Sequence, residues 1–386
     1  MTNQHSSGAS DFSQWSTYAE IQAQPAIWRD WFKVLGPQLP ALQEWLRHSR
    51  HDAVWFCGAG TSSFIGETLA SYFNSSTKTV RFRAIATTDL VAQPGSYFPT
   101  GIKLLVVSFG RSGNSSESIG TLNVLDTLAA DADRLHITCN EQGALSTRTV
   151  PGPGALRTIV LPPQTNDVGF AMTSSYTTML LTALACFDEQ APMPLQQSVA
   201  LLADAATALL QHCTAQAASE QFSMPQRVVF LGSGALSGAA RESSLKVLEL
   251  SAGAIPTLWD SSLGFRHGPK AFMTVATRAY IFVSSDPHTQ AYELDVAKEI
   301  RAQFGAHTVV TIGPEQAGCD VILPTVGNDA WTCVLYVLLA QFLAMQWSHA
   351  MGLNVDHPFA NGNLSRVVTG VRLYPFVFNG LHNDEE

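Results

Sequence analysis

One pattern occurs twice in this chain: an apolar run that opens directly into a Gly-x-Gly turn. The first copy, VWFCGAG, starts at Val54, and the second, VVFLGSG, starts at Val228. Two further pairs of apolar runs follow in the same order, LLVVS with YIFVS and TIVLP with DVILP. Three matched pairs in one order predict two tandem copies of a single domain.

The apolar runs also indicate the class of domain. They are short, rich in β-branched residues and apolar throughout, which is typical of parallel strands that are covered on both faces. Longer stretches between them, such as 115–130 and 290–304, favour helices. The sequence therefore predicts an α/β fold with two tandem domains, each a parallel sheet flanked by helices in a flavodoxin-like three-layer sandwich. In such sheets, ligands bind at the carboxyl ends of the strands.

Domain boundaries follow from the order of these elements. In the N-terminal part, Pro25 and Pro40 are expected to break helices. We predict a helical lead-in over residues 1–50, a first domain with linking helices over 51–211, a second domain over 212–350 and a C-terminal tail over 351–386.

Composition excludes several classes of protein. The 386 residues carry a formal net charge of −9, so we expect no nucleic-acid partner. Hydrophobic residues make up 46% and charged residues only 14%, which predicts a large core or buried contacts between subunits. The apolar stretch 331–347 is interrupted by Thr332, Gln341 and Gln346, so we predict a buried helix and no membrane partner.

Cysteine usage and the N-terminal sequence favour a cytoplasmic location. The six cysteines include no C-x-x-C pair and lie mostly in apolar runs, as expected of reduced and buried thiols. The first ten residues, MTNQHSSGAS, lack the basic start and apolar stretch of a secretory signal. No metal site is expected, because His48 and His51 lack a third ligand in the sequence around them.

Two loops at predicted strand ends suit a phosphate group. The turn Gly60-Thr61-Ser62 opens a helix, where backbone amides favour an anion and hydroxyls add donors. The loop SFGRSGNSSES contains Ser112 and Ser115, which can donate to phosphate oxygens, and Arg111, which suits a bidentate clamp. The ordinary alternatives are a serine-capped structural helix and a solvated Ser/Asn turn.

Charged residues recur at helical spacing in the second copy. As a helix, GAARESSLKVLELSAG places Glu242, Lys246 and Glu249 on one face. An exposed ladder of ion pairs is the ordinary explanation, although the scarcity of charge in this chain favours a site. Downstream, His267 lies in the loop GFRHGPK, where its role is either functional or only structural.

Together, these segments resemble the sugar isomerase (SIS) family, whose members carry two such domains and bind sugar phosphates. The similarity extends to the isomerase half of glucosamine-6-phosphate synthase and, more closely, to bacterial galactosamine-6-phosphate deaminase/isomerases. It covers almost the whole chain, in the ordered series TTDLV, SFGRSGNSSES, GFAMTSS, GAARESSLKVLEL, GFRHGPK and LSRVVTGV.

The resemblance implies roles for particular residues. Phosphate-binding positions fall on the two hydroxyl-rich loops, and Arg366 occupies the position where the synthase has a Schiff-base lysine. Because an arginine stays protonated, an imine route at that position is not expected. The catalytic candidates are Glu249, His267, Lys246 and Arg366, and the phosphate-binding candidates are Gly60, Thr61, Ser62, Arg111, Ser112 and Ser115.

The resemblance also implies an activity, conversion of D-galactosamine 6-phosphate into D-tagatose 6-phosphate and ammonia. His267 would open the sugar ring, Glu249 would move a proton from C2 to C1, and the resulting imine would be hydrolysed. No metal or organic cofactor is implied. The implied assembly is a homodimer or larger homo-oligomer with a shared active site to which the C-terminal tail contributes. The alternatives are a tagatose-6-phosphate aldose–ketose isomerase without deamination and a non-catalytic phosphosugar sensor.

Overall fold

The computed structural model describes residues 11–77, 79–98, 100–189, 193–359 and 361–376. The polar start of the chain, residues 1–10, lies outside this range, and so do residues 377–386 of the predicted tail. The domain boundaries given above stay predictions. Below, "first half" and "second half" mean the parts of the chain that contain the first and the second sheet.

The first sheet is parallel throughout, with the strand order β2-β1-β3-β4-β5. Its strands are β1 (Ala53–Gly58), β2 (Arg81–Ala86), β3 (Leu104–Gly110), β4 (Asp133–Thr138) and β5 (Leu156–Val160). The second sheet is also parallel, with the order β7-β6-β8-β9-β10. Its strands are β6 (Arg227–Leu231), β7 (Thr257–Asp260), β8 (Thr277–Phe282), β9 (Val309–Gly313) and β10 (Val321–Ile322).

Both sheets have the same topology, because β6 to β10 occupy the places of β1 to β5 in order. The predicted fold class, two tandem parallel sheets flanked by helices, is confirmed. The helices are α1 (Ser16–Leu35), α2 (Leu39–Ser49), α3 (Thr61–Ser76), α4 (Thr87–Ala92), α5 (Ser116–Leu128), α6 (Ala144–Thr147), α7 (Ser174–Phe187), α8 (Leu195–Ala215), α9 (Leu236–Leu250), α10 (Pro287–Phe304) and α11 (Asp329–Ala350).

The prediction that Pro25 breaks a helix is wrong, because α1 continues through it. A proline inside a helix leaves the carbonyl four residues earlier without its usual N–H partner. Here that carbonyl belongs to Ile21, and the side-chain Nε2 of Gln24 lies 3.4 Å from it. Pro40 lies in the first turn of α2, where a missing N–H has no cost. The two prolines therefore fit helices for different reasons.

Helix α11 lies in the centre of the protein, in contact with α1, α7, α8 and α9. Among the described residues, it is the helix that is long and apolar enough to cross a membrane, yet 94% of its apolar window is buried inside the protein. Gln341, one of its polar residues, accepts a hydrogen bond from Gln24 of α1 at 2.8 Å. The predicted buried helix over 331–347 is confirmed.

Helix α9 of the second half packs closely against α3 of the first half. A Cβ atom on Gly238 would lie 2.5 Å from Oγ1 of Thr68 and 2.8 Å from the carbonyl oxygen of Phe64. Only glycine permits this approach. As a result, later residues of α9 reach the loop after β1, where Lys246 contacts Thr61.

The loop 166–171, which precedes α7, is held by two carboxylates. Asp167 is buried and accepts hydrogen bonds from the N–H and hydroxyl groups of residues 173–175, which satisfies donors at the start of α7. Glu20 of α1 accepts hydrogen bonds from the N–H groups of residues 168 and 169. Both carboxylates therefore fix a loop that contacts the cavity described below.

Glu20 should make stability depend on pH. Burial, together with the charge of Asp167, raises the pKa of Glu20 to about 7. The unfolded chain has a glutamate pKa of about 4.3, so the native state binds more protons between these values and loses stability as the pH rises through them. The variant Glu20→Gln cannot release this proton. We expect its unfolding free energy, relative to wild type, to increase by about 3 kcal/mol between pH 4.5 and 8.

Chemical denaturation of both proteins across this pH range measures the difference. The control is Glu44→Gln, a substitution at an exposed position of α2. It should follow the wild-type pH profile. An identical pH profile for wild type and Glu20→Gln would contradict the prediction.

Candidate active site

A cavity of about 520 Å³ opens at the carboxyl ends of β1 and β3. Its walls come from the loops after these strands, the last turns of α9 and the tail residues 364–368. Most of the predicted site residues line it: Gly60, Thr61, Ser62, Arg111, Ser112, Ser115, Glu249 and Arg366. Segments far apart in sequence thus meet around one space.

The first hydroxyl-rich loop turns sharply from β1 into α3. A Cβ atom on Gly58 would lie 2.5 Å from the backbone of Ser62, so the turn requires glycine there. Gly60 has a φ of 53°, a conformation that also favours glycine. The Ser62 hydroxyl is buried, and its nearest partner is the sulfur of Met172 at 4.0 Å. Because sulfur is a weak acceptor, this hydroxyl remains able to donate to a ligand.

The second loop follows β3 and begins α5. Ser115 caps α5 by accepting a hydrogen bond from the N–H of Ser118 at 3.2 Å. The Ser112 hydroxyl accepts from the N–H of Asn114 at 3.2 Å, which leaves its own proton free to donate. Ser115 therefore caps a helix and also has a place on the cavity wall. The serine cap considered above for the first loop does not form, because the N-cap of α3 is Gly60 and no side chain caps it.

Arg111 has different partners from those predicted. Its guanidinium donates to the carbonyls of residues 169, 170 and 171 and to the carbonyl of Arg366, at 3.1 to 3.3 Å. Four of its five N–H donors are thereby used, so a bidentate clamp on a phosphate would require these bonds to break. Burial and the charge of Arg366 lower the pKa of Arg111. In this structure Arg111 ties the loop 166–171 to the tail.

Arg366 brings the C-terminal tail onto the same loop. Its Nε donates to the carbonyl of Asp167 at 2.9 Å, and its Nη2 donates to the carbonyl of Asn166 at 2.8 Å. The tail is also fixed to the start of α5, because the N–H of Ser116 donates to the carbonyl of Val368 at 3.1 Å. These contacts hold residues 364–368 against the cavity.

The charged face of α9 is buried, so the exposed ladder considered above is not what forms. Lys246 is fully buried, and its Nζ lies 2.5 Å from Oε2 of Glu249, 3.4 Å from Oε1 of Glu242 and 3.1 Å from Oγ1 of Thr61. Glu249 is partly exposed and lines the cavity. The ammonium group therefore lies behind Glu249, the one of these two carboxylates that a ligand can reach.

The protonation states of this cluster follow from its burial. Burial alone would lower the pKa of Lys246, but the charges of Glu242 and Glu249 outweigh it and raise that pKa. Burial raises the pKa of Glu242 to about 8, although Lys246 opposes the shift. At neutral pH, Lys246 is thus charged and Glu242 largely protonated. Lys246 can then pair mainly with Glu249.

His267 lies outside the cavity wall of its own chain. It follows the short 3₁₀ turn Gly264–Arg266, and its side chain is exposed. The turn is anchored to α10, because Nε of Arg266 donates to Oε2 of Glu299 at 2.7 Å and Lys270 also pairs with Glu299. The loop is thus fixed while its histidine faces outward.

Two carboxylates were not selected as site residues from the sequence. Glu242 was noticed only as part of a helix face, and its burial gives it a place behind Lys246. Glu117 lines the cavity and, within the described part of the chain, makes no hydrogen bond or ion pair through its carboxylate. Its position inside the hydroxyl-rich loop was the available signal. Within the same part of the chain, no group of three or more His, Cys, Asp or Glu side chains is placed to hold a metal ion.

Comparison with known proteins identifies the family to which the chain belongs. No protein-family model matches the sequence. The chain is 39% identical over 374 residues to D-galactosamine-6-phosphate deaminase AgaS of Escherichia coli, which covers 93% of this chain and 96% of that protein. It is 34% identical over 376 residues to D-galactosamine-6-phosphate deaminase AgaS of Shewanella sp. strain ANA-3, covering 94% and 92%.

A solved structure agrees with this result. The crystal structure of tagatose-6-phosphate ketose/aldose isomerase from Escherichia coli is similar with a TM-score of 0.85 and 35% identity, over 96% of this chain and 100% of that chain. The similarity extends over nearly the full length of all these proteins. The chain therefore belongs to the AgaS family of D-galactosamine-6-phosphate deaminases.

Proposed function

We propose that the protein is an enzyme that converts D-galactosamine 6-phosphate into D-tagatose 6-phosphate and ammonia. One observation carries the proposal: the Glu249 carboxylate, backed by the buried Lys246 ammonium, lines the same cavity as two hydroxyl-rich loops. The names of the relatives that cover almost the whole chain support the choice of reaction.

The phosphate group binds to the two loops. Ser62, Ser112 and Ser115 have hydroxyls at the cavity wall, and the start of α5 adds the favourable field of a helix N-terminus. Arg111 contributes positive charge nearby while its hydrogen bonds keep the loop 166–171 in place. Binding through a group that does not react holds C1 and C2 of the sugar in position.

Glu249 transfers the proton that converts the amino aldose into a ketose imine. In the open-chain sugar, C1 is an aldehyde and C2 carries the amine. The carboxylate removes the proton from C2, which gives an enolamine, and returns a proton to C1. Lys246 stabilises the negative charge on the carboxylate and in the enolamine. Water then adds to the carbon–nitrogen double bond at C2, and ammonia leaves, so the overall reaction consumes one water.

Arg366 has a positional role in this scheme. Its guanidinium remains protonated and donates to the loop carbonyls of residues 166 and 167, so it forms no imine with the substrate. Through these bonds it holds the tail over the cavity. The positive charge of Arg366 also favours the anionic enolamine.

Ring opening falls to His267 of a second copy of the chain. The histidine is exposed on a fixed loop and does not line the cavity of its own chain. A homodimer or larger homo-oligomer, in which this loop completes the neighbouring site, accounts for both facts.

We further propose a cytoplasmic location, since all six cysteines are buried free thiols.

Release of ammonia from purified protein tests the reaction. Galactosamine 6-phosphate, glucosamine 6-phosphate and N-acetylgalactosamine 6-phosphate are supplied in parallel, and tagatose 6-phosphate is tested separately for isomerisation. Ammonia from galactosamine 6-phosphate alone is the expected result. Interconversion of ketose and aldose phosphates without ammonia would replace the deaminase by the plain isomerase. Binding of phosphosugars without any turnover would favour a sensor.

The variant Glu249→Gln separates catalysis from binding. The amide keeps the shape of the side chain but cannot take up the C2 proton, so we expect kcat to fall by about 10³-fold. The Kd for tagatose 6-phosphate, measured by calorimetry, should stay within about threefold, because the phosphate loops are untouched. Glu141→Gln, an exposed carboxylate outside the cavity wall, is the matched control. Equal loss of binding and turnover in Glu249→Gln would assign this residue a structural role instead.

Mixing two inactive variants tests the shared site. His267→Ala and Glu249→Gln each remove one group from every site, but a mixed dimer regains one intact site from the two chains. After subunit exchange, equal amounts should recover about a quarter of the wild-type ammonia release. Absence of recovery, when mass spectrometry shows that mixed dimers have formed, would mean that both groups act from the same chain.

A further inference from the structure

The loops after β1 and β3, which line the cavity, have counterparts after β6 and β8 in the second half. There, a side chain of the protein lies between the two loops. Glu293 of α10 is fully buried, and its Oε2 accepts a hydrogen bond from the N–H of Ser284 at 2.7 Å. Its Oε1 makes no hydrogen bond in the described part of the chain, although the hydroxyl and N–H of Ser233 are close enough to lower the pKa of this carboxyl group. Ser284 follows β8 and Ser233 follows β6, the counterparts of β3 and β1. Glu293 therefore spans the two loops that correspond to those of Ser112 and Ser62.

A second carboxylate closes the same place. Asp329, the first residue of α11, accepts a hydrogen bond from the hydroxyl of Ser284 at 2.5 Å. It also accepts from the N–H and the hydroxyl of Ser285, at 2.9 and 2.7 Å. Donors of this kind at the carboxyl edge of a parallel sheet are the ones that hold phosphate groups. In the second half, these donors bind carboxyl groups of the protein itself.

The residues at matching positions of the first half are neutral. Asp286 caps α10 by accepting from the N–H of Thr289 at 2.9 Å, just as Ser115 caps α5. Counted from these caps, Glu293 matches Leu122, a buried apolar residue that cannot accept a hydrogen bond. The first half thus leaves its loop donors open, whereas the second half supplies carboxyl groups to them.

Burial limits the negative charge that the carboxyl groups of Glu293 and Asp329 carry together. Burial, with a contribution from the charge of Asp329, raises the pKa of Glu293 to about 8. At neutral pH the Glu293 carboxyl group is therefore largely protonated, while Asp329 receives three hydrogen bonds. An added phosphate would have to displace both side chains.

We propose that the second half retains an anion-binding site of the phosphate class that Glu293 and Asp329 occupy permanently, so that each chain takes up one phosphate ligand instead of two. The inference rests on the proposed phosphate-binding role of the first half. It explains why, in the described part of this duplicated fold, the proposed catalytic cavity is built from both halves, with α9 supplied by the half whose own site is filled.

Shortening the side chains of Glu293 and Asp329 should free the loop donors of the second half for a phosphate ion. The double variant Glu293→Ala/Asp329→Ser, called the truncated variant below, shortens both side chains. Serine is chosen at position 329 because the corresponding helix of the first half, α7, begins with Ser174. The matched control Glu293→Gln/Asp329→Asn removes the same two carboxyl groups but keeps side chains of the same size in place. Calorimetric titration of the full-length protein with inorganic phosphate, at constant ionic strength, measures the number of phosphates bound per chain.

We expect one phosphate per chain for wild type and for the matched control, and two for the truncated double variant. Phosphate should also raise the melting temperature of the truncated variant by several degrees more than that of the control. If the truncated variant folds only when phosphate is present, that result supports the proposal equally.

Two phosphates on wild type, or one on a folded truncated variant, would overturn the inference and leave the proposed function intact. A truncated variant that does not fold under any condition, saturating phosphate included, would also overturn the inference, because an anion site would accept phosphate in place of the two carboxyl groups. No phosphate bound to wild type would instead remove the phosphate role of the first half, and with it this part of the proposed function.

Discussion

The ammonium group of Lys246 is where the two halves of the chain meet. It comes from α9 of the second half and contacts Thr61 at the first loop of the first half, while Glu249 and Glu242 lie on either side. A buried cation without these partners would be strongly unfavourable, and removing one partner of such a pair typically costs about 3 to 5 kcal/mol. The position of Glu249 at the cavity therefore depends on a contact that also holds the halves together.

The rest of the site depends on this arrangement through backbone contacts. The close approach of α9 and α3 at Gly238 allows Lys246 to reach Thr61. On the other side of the cavity, Arg111 and Arg366 use their guanidinium groups on carbonyls of the loop 166–171, and Asp167 holds that loop to α7. The charges of the site thus serve mainly to place main-chain segments, which leaves a partly exposed carboxylate and several hydroxyls for a ligand.

The fold was predictable because its signals are local and repeated. Apolar runs that end in glycine turns identify the parallel strands, and their duplication identifies two sheets. The loops lining the cavity could be found for the same reason, since they follow those strands. The path of α1 through Pro25 could not be predicted, because it depends on a side-chain contact between Gln24 and the Ile21 carbonyl.

The partners of charged residues were also beyond prediction. Arg111 in a serine-rich loop suggested a phosphate clamp, but its hydrogen bonds go to carbonyls that are distant in sequence. Likewise, helical spacing identified the face with Glu242 and Lys246, whereas its burial arises from packing between the two halves. The outward position of His267 follows from ion pairs with α10. Spacing along the chain reveals which residues share a face, and only tertiary structure reveals what that face meets.

In the proposed reaction, Glu249 moves a proton from C2 to C1 of an open-chain amino sugar. The most direct measurement follows the conversion of galactosamine 6-phosphate in D₂O and locates deuterium in the product by NMR. A carboxylate that exchanges its proton with solvent between the two steps should leave deuterium at C1 of tagatose 6-phosphate, together with an equivalent of ammonia. Ammonia release that yields a ketose without any deuterium at C1, at every temperature tested, would indicate direct hydride transfer from C2 to C1 and contradict proton transfer through this carboxylate.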